Sequence, residues 1–140
     1  LSPVLENIIL MKKLNIWVEI TTLIIPGQND SKEELTNIAE FIAKLDNNIP
    51  WHISAFHPDF EFNELPPTPP ETLNLAFRIA KEKGIKYVYL GNLHSDNKEN
   101  TYCPSCEKIL IKRNGFFIED NLIKENKCPY CKEKIAGIGL

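Results

Sequence analysis

All four cysteines of this chain fall in two short strings, YCPSCEK and KCPYCKEK, as Cys103, Cys106, Cys128 and Cys131. The pattern is C-x2-C, 21 intervening residues, and C-x2-C again. Two residues between cysteines let both thiolates of a tight turn reach one ion. Two such turns supply four sulfurs in a tetrahedron, the closed arrangement of a structural zinc site. A single iron takes the same geometry. Because four thiolates leave no position open for substrate, the spacing reads as a structural metal ribbon rather than a catalytic centre. A rubredoxin-like iron site that passes electrons is the redox alternative. Ribbon turns often carry Gly after the second cysteine, where the backbone favours positive φ. Glu107 and Lys132 stand there instead.

Two further strings could do chemistry. In HPDFEFNELPPTP, His57 and Asp59 open a 13-residue loop that follows the strand-like WHISAF. Ligands of parallel α/β folds bind at the carboxyl ends of strands, and a connection this long is often functional. The competing reading is a proline-stiffened surface loop in which His57 makes a backbone hydrogen bond. In IIPGQND, Ile24, Ile25 and the Pro26-Gly27 turn could let backbone approach a cofactor, or could simply end a strand and cap the next helix. Glu19, in mid-strand, needs a partner if buried, and an ion pair is expected. His52 and His94 read as structural or solvated, and Trp17 and Trp51 as core aromatics. There is no GxGxxG, P-loop, GxSxG or HExxH, so common nucleotide and hydrolase chemistry has no signature.

These residues must be held by regular elements, and the chain alternates. Ser2-Pro3 and the apolar spacing of Val4, Leu5, Ile8 and Ile9 predict a helix to about Lys13. NIWVEITTLII is apolar on both faces and predicts a doubly buried parallel strand. Ser31 and Glu34 form a capping box for a helix with Leu35, Ile38, Ala39, Ile42 and Leu45 inward. WHISAF is a second strand. Thr68 and Glu71 read as another capping box with Pro69 at the first helical position, and Gly84 ends that helix. IKYVYL is a third strand. The order predicts right-handed parallel βα units. The first strand is expected to lack a partner on one side, which strands from a longer chain would supply. A polar stretch from Ser95 then leads to the cysteine module, with a type I′ hairpin expected at Asn114-Gly115. The predicted domains are therefore 1–94, parallel βα units that read as the end of a larger α/β structure, and 95–140, a four-cysteine ribbon.

Composition narrows the function. With 43% hydrophobic and 25% charged residues and a net charge of −3, the chain reads as globular, with no footprint for nucleic acid or anionic membranes. No run of about 18 apolar residues occurs, so no membrane helix is predicted. With no export signal, the cysteines are expected reduced in the cytoplasm. The chain opens on Leu1 inside a helix, which reads either as a processed protein or as the back part of a longer one.

Taken in order, WVEITTLIIPGQNDS, PWHISAFHPDF…LPPTPPETL, YVYLGN and NTYCPSC…CPYC…IAGIG resemble the C-terminal half of one radical SAM subfamily, the AmmeMemoRadiSam system radical SAM enzymes, which are similar to pyruvate formate-lyase-activating enzymes. The resemblance covers essentially the whole chain. It implies half of a partial (β/α)6 TIM-like barrel, followed by the ribbon. It also implies an enzyme that binds S-adenosylmethionine and a [4Fe-4S] cluster and cleaves the sulfonium reductively to a 5′-deoxyadenosyl radical. By similarity, His57 contacts S-adenosylmethionine, and Ile24 and Ile25 lie near its adenine. The partners implied are a protein substrate, the N-terminal barrel half and an electron donor. The family's cluster motif, C-x3-C-x2-C, does not occur here, so this chain by itself is expected to be inactive. The alternative from another class is a non-enzymatic α/β zinc-ribbon module that docks a partner protein.

Overall fold

The computed structural model describes residues 2–60, 64–92, 97–115 and 117–139. It is a mixed α/β structure. Helix α1 (Ser2–Lys13) buries no residue, and its Lys12 pairs with Asp46 at 2.8 Å. Asn15, at φ 58°, ends α1, with the N–H groups of Asn15 and Ile16 closing onto Lys12 and Met11.

Strands β1 (Ile20–Ile24), β2 (Trp51–Ala55) and β3 (Val88–Gly91) form a parallel sheet in the order β1-β2-β3. Ile20 pairs with Trp51 and Trp51 with Val88, so side chains of one parity share a face across all three strands. Ile24, Trp51, Ile53, Ala55, Val88 and Leu90 meet helices α2 (Lys32–Asp46) and α3 (Pro70–Glu82) in the main core. The opposite face carries polar and aromatic side chains. This corrects the doubly buried first strand expected from NIWVEITTLII. Thr21 and Leu23 are exposed, because both helices pack on one side and β1 pairs only with β2 among the described residues. The ladder of β1 is also shorter than the apolar run.

The Ser31 cap is present. Its hydroxyl accepts from the Glu34 N–H at 3.2 Å and donates to the Glu34 carboxylate at 2.6 Å. Gly84, at φ 87°, closes α3, with Gly84 bonded to Lys81 and Ile85 to Ala80. The second capping box does not form. Pro69 is the N-cap of α3, and Thr68 turns inward instead. The Thr68 hydroxyl accepts from the Phe56 N–H at 2.8 Å and donates to the Ile24 carbonyl at 2.6 Å. It thereby ties the carboxyl ends of β1 and β2 together. A buried hydroxyl satisfied on both sides is worth more there than at a helix end.

Strands β4 (Thr101–Tyr102), β5 (Ile109–Asn114) and β6 (Phe117–Asn121) form an antiparallel sheet. The hairpin turns one residue later than Asn114-Gly115 predicts. Asn114 stays in the strand, paired with Phe117, and Gly115 takes φ 58°. Cys103, Leu110, Ile111, Ile123, Cys128 and Ile135 form a second core that also takes in Tyr87, just before β3. No helix among the described residues is long and apolar enough to cross a membrane.

Thr68→Val keeps the shape and removes both hydroxyl bonds. Urea unfolding should show a loss of about 1–3 kcal/mol. An unchanged midpoint would mean that the clamp contributes nothing.

Candidate functional site

Each C-x2-C pair sits in a tight turn of the same design. The Cys103 N–H donates to the Lys108 carbonyl at 2.9 Å and the Glu107 N–H to the Cys103 carbonyl at 3.0 Å. The second turn repeats this with Cys128 to Glu133 at 2.9 Å and Lys132 to Cys128 at 3.0 Å. Glu107 and Lys132 take φ of 59° and 68°, so both turns adopt the backbone that glycine would favour. The cost for non-glycine residues is roughly 1–2 kcal/mol each. Sequence alone left it open whether such turns would close here, and they do.

The two turns face each other. Cys103 and Cys131 Sγ are 3.5 Å apart, Cys106 and Cys128 Sγ are 3.7 Å apart, and all four sulfurs lie within 4.8 Å of one another. A disulfide needs about 2.05 Å. Four ligands about 2.3 Å from a tetrahedral zinc stand about 3.8 Å from each other. The cysteines are thus spaced to hold one metal ion, as their sequence spacing predicts. Backbone N–H groups serve the sulfurs as well, from Ser105 and Cys106 to Cys103 and from Tyr130 and Cys131 to Cys128.

These surroundings divide the thiols. Burial pushes the Cys103 thiol up to about 12, and Cys106 is also raised. For Cys128 burial acts upward too, but the Cys131 and Tyr130 N–H groups and the neighbouring thiols outweigh it and bring the group to about 6. At neutral pH an ion bound there would have to displace protons from Cys103 and Cys106.

The other predicted positions lie along the sheet. His57 is exposed just beyond β2, and its Nε2–H donates to the Asn92 carbonyl at 2.8 Å. Neutral His57 therefore keeps a lone pair on Nδ1. Asn92, at φ 56°, reaches back to the Ala55 carbonyl at 3.3 Å. Asp59 is not drawn into this group but bonds the Phe60 N–H at 2.8 Å. Ile24 is fully buried in the main core, on the helix side of the sheet. That corrects its expected position beside a cofactor, since strand alternation turns Leu23 rather than Ile24 to the open face. Ile25 is half-buried, and its N–H is held by Asn29 Oδ1 at 2.7 Å. His94 lies outside the described residues.

A cleft of about 1230 Å³ runs between the open face of the sheet and the ribbon. On the sheet side, Glu19 accepts from Trp17 Nε1 at 3.0 Å and meets His52 Nε2 at 2.8 Å. Glu19 thus has a partner, as a hydrogen bond with His52, but it is exposed and stands just before β1 rather than in mid-strand. Trp17 is not a core residue, because it shares the polar face with Glu19, whereas Trp51 is fully buried. Burial opposes the Glu19 charge. The bonds from Trp17 and His52, and the fields of His52 and Arg113, still hold its carboxyl below the usual range. The His52 ring stacks on Tyr89 with centroids 5.0 Å apart. On the ribbon side, Arg113 lies 5.7 Å over Tyr89 and donates to Thr101 Oγ1 at 2.8 Å. Sequence reasoning missed Tyr89 and Arg113, since no local pattern marks residues that meet only through the fold.

No protein-family profile matches this chain, and no solved structure matches it. It is 49% identical over 138 residues to the uncharacterized protein MJ0808 of Methanocaldococcus jannaschii. The match takes in 96% of this chain but 41% of that protein, so the chain spans about two-fifths of its relative's length.

Zinc should bind one ion per chain, and Cys103→Ser should abolish that binding. Raised thiols are protonated at pH 7 and compete with the ion, so affinity should fall with acid. Two displaced protons predict a loss of at least about a hundredfold per pH unit below neutrality. Competition with a chromophoric chelator measures it, and a pH-independent affinity would contradict the four-thiolate assignment.

Proposed function

We propose that this chain forms the C-terminal wall of a radical SAM enzyme. The observation that carries the reading is the one-sided parallel sheet. Its helices cover one face, its other face is polar and open, and β1 has a ladder partner on one side only among the described residues. Such a sheet is what part of a βα barrel presents, with inward side chains from each strand lining the interior. The greater length of the archaeal relative is in keeping with further strands. The resemblance of the strings around strands β1 to β3 supplies the family.

In this reading His57 stands where strands β2 and β3 end, with its ring fixed by Asn92 and its Nδ1 lone pair available to S-adenosylmethionine. Glu19, His52 and Tyr89 line the interior below it. The backbone near Ile25, held by Asn29, takes the role that the Ile24 side chain cannot. A [4Fe-4S] cluster would supply the electron for sulfonium cleavage, but the residues present do not fit it. The four cysteines form a closed site for a single ion, and C-x3-C-x2-C is absent from this sequence. The chain's part is therefore to bind and orient, while the ribbon metal braces the wall.

A protein-binding module is the rival reading. It is favoured by β6, where Phe117 and Ile118 are 79% and 60% exposed on an edge strand.

The test is reconstitution with iron, sulfide and a reductant in the presence of S-adenosylmethionine. Residues 1–140 alone should yield no 5′-deoxyadenosine. The product should appear from the gene's full translation, carrying C-x3-C-x2-C upstream of Leu1, and should drop at least tenfold in its His57→Ala variant. An initiator Met just before Leu1 with no such motif would favour the module.

A further inference from the structure

The Glu19, His52 and Tyr89 row explains one wall of the cleft, but it leaves Arg113 without a task. Arg113 comes from the ribbon, in β5, and its guanidinium lies over the ring of Tyr89 in the sheet. One nitrogen, Nη1, makes all its hydrogen bonds to described residues, to Thr101 Oγ1 at 2.8 Å and to the Glu99 carbonyl at 3.4 Å. The remaining edge of the fork, Nε and Nη2, has no hydrogen-bond partner among the described residues. Nearby, both oxygens of Glu19 are taken by Trp17 and His52, so that carboxylate already has partners of its own.

We propose that this cleft binds a small molecule through a planar oxyanion on the free edge of Arg113, with the molecule's apolar body against the Trp17 indole. A guanidinium edge presents two parallel donors that match the two oxygens of a carboxylate or phosphate. Partly buried aromatic side chains add contact area for a flat body, and a few convergent polar groups set its orientation. The Glu19 charge disfavours a bare anion nearby, which favours ligands that gain contact from an apolar body as well.

The metal controls this site. The ribbon's core includes Tyr87, whose hydroxyl accepts from the Ala136 N–H at 3.1 Å. Tyr89 and Thr101 share a hydroxyl bond at 3.0 Å, and the Leu90 N–H donates to the Lys98 carbonyl at 3.2 Å. Arg113 is anchored by its own N–H to Asn100 Oδ1 at 2.7 Å. Every one of these contacts joins the sheet to the ribbon or lies within the ribbon. A ribbon that loses its ion releases Arg113 from Tyr89, and the cleft loses one wall. The inference goes beyond the enzyme reading and does not rest on it.

The probes are benzoate, a carboxylate on a flat ring, and inorganic phosphate, an oxyanion with no apolar body. In the zinc-loaded chain, benzoate should shift the Trp17 indole N–H signal saturably and leave that of buried Trp51 in place. Arg113→Lys keeps the charge and loses the fork. It should weaken benzoate at least tenfold while zinc stays at one per chain. Removing the zinc should abolish the saturable shift, and phosphate should bind at least tenfold more weakly than benzoate. The proposal is overturned by no saturable shift in the loaded chain, by Arg113→Lys binding as the parent does, by equal binding without zinc, or by phosphate matching benzoate.

Discussion

The constraint on which the C-terminal third of this molecule turns is the convergence of four cysteine sulfurs at a spacing that could hold one ion. Cys103 and Cys128 are buried, yet among the described residues the only large aliphatic side chains that the ribbon buries with them are Leu110, Ile111, Ile123 and Ile135. A unit of about 40 residues with so small a core usually needs a metal or a disulfide to stay folded. The sulfurs stand too far apart for disulfides and at the spacing of a tetrahedral ion. An ion bound there would therefore supply folding energy to everything strung between the two turns. It would also offset the left-handed backbone at Glu107 and Lys132.

The constraint reaches beyond the ribbon because Tyr87 belongs to both parts. It precedes β3, so its neighbours Val88 and Leu90 pack toward the helices while Tyr87 and Tyr89 face the ribbon. The sheet thus has two unlike faces. One is sealed by α2 and α3 through apolar contact, which needs no ion. The other is polar, and the ribbon stands over part of it through directional bonds. Glu19, His52, Tyr89 and Arg113 form a charged and aromatic row between them, half-sheltered and toward the amino ends of the strands, while His57 stands beyond their carboxyl ends. That arrangement is suited to holding a ligand, and it is why the enzyme reading and the oxyanion inference both look to this face.

Much of this was legible in the sequence where the cause is local. The Ser31 and Glu34 pair, Gly84 after α3 and the two C-x2-C turns each act within a few residues, and each forms as read. What escaped depends on contacts between distant segments. Thr68 has the spacing of a cap, but the strand ends of β1 and β2 offer it two buried bonds that no local pattern reveals. Ile24 and Leu23 are equally apolar in sequence, and only the side on which the helices pack decides which is buried. Trp17 looks like core until Glu19 engages its indole N–H on the open face. Arg113 and Tyr89 are 24 residues apart and meet only because the ribbon folds back over β3.

Native-state hydrogen exchange, with zinc bound and after chelation, tests most directly whether the ion holds the ribbon against the sheet. The account predicts that chelation speeds exchange at Leu90, Ala136 and Arg113, whose N–H groups lie in or against the ribbon, while the amides of α2 and α3 keep their protection. Unchanged protection at those three positions in the metal-free chain would contradict it.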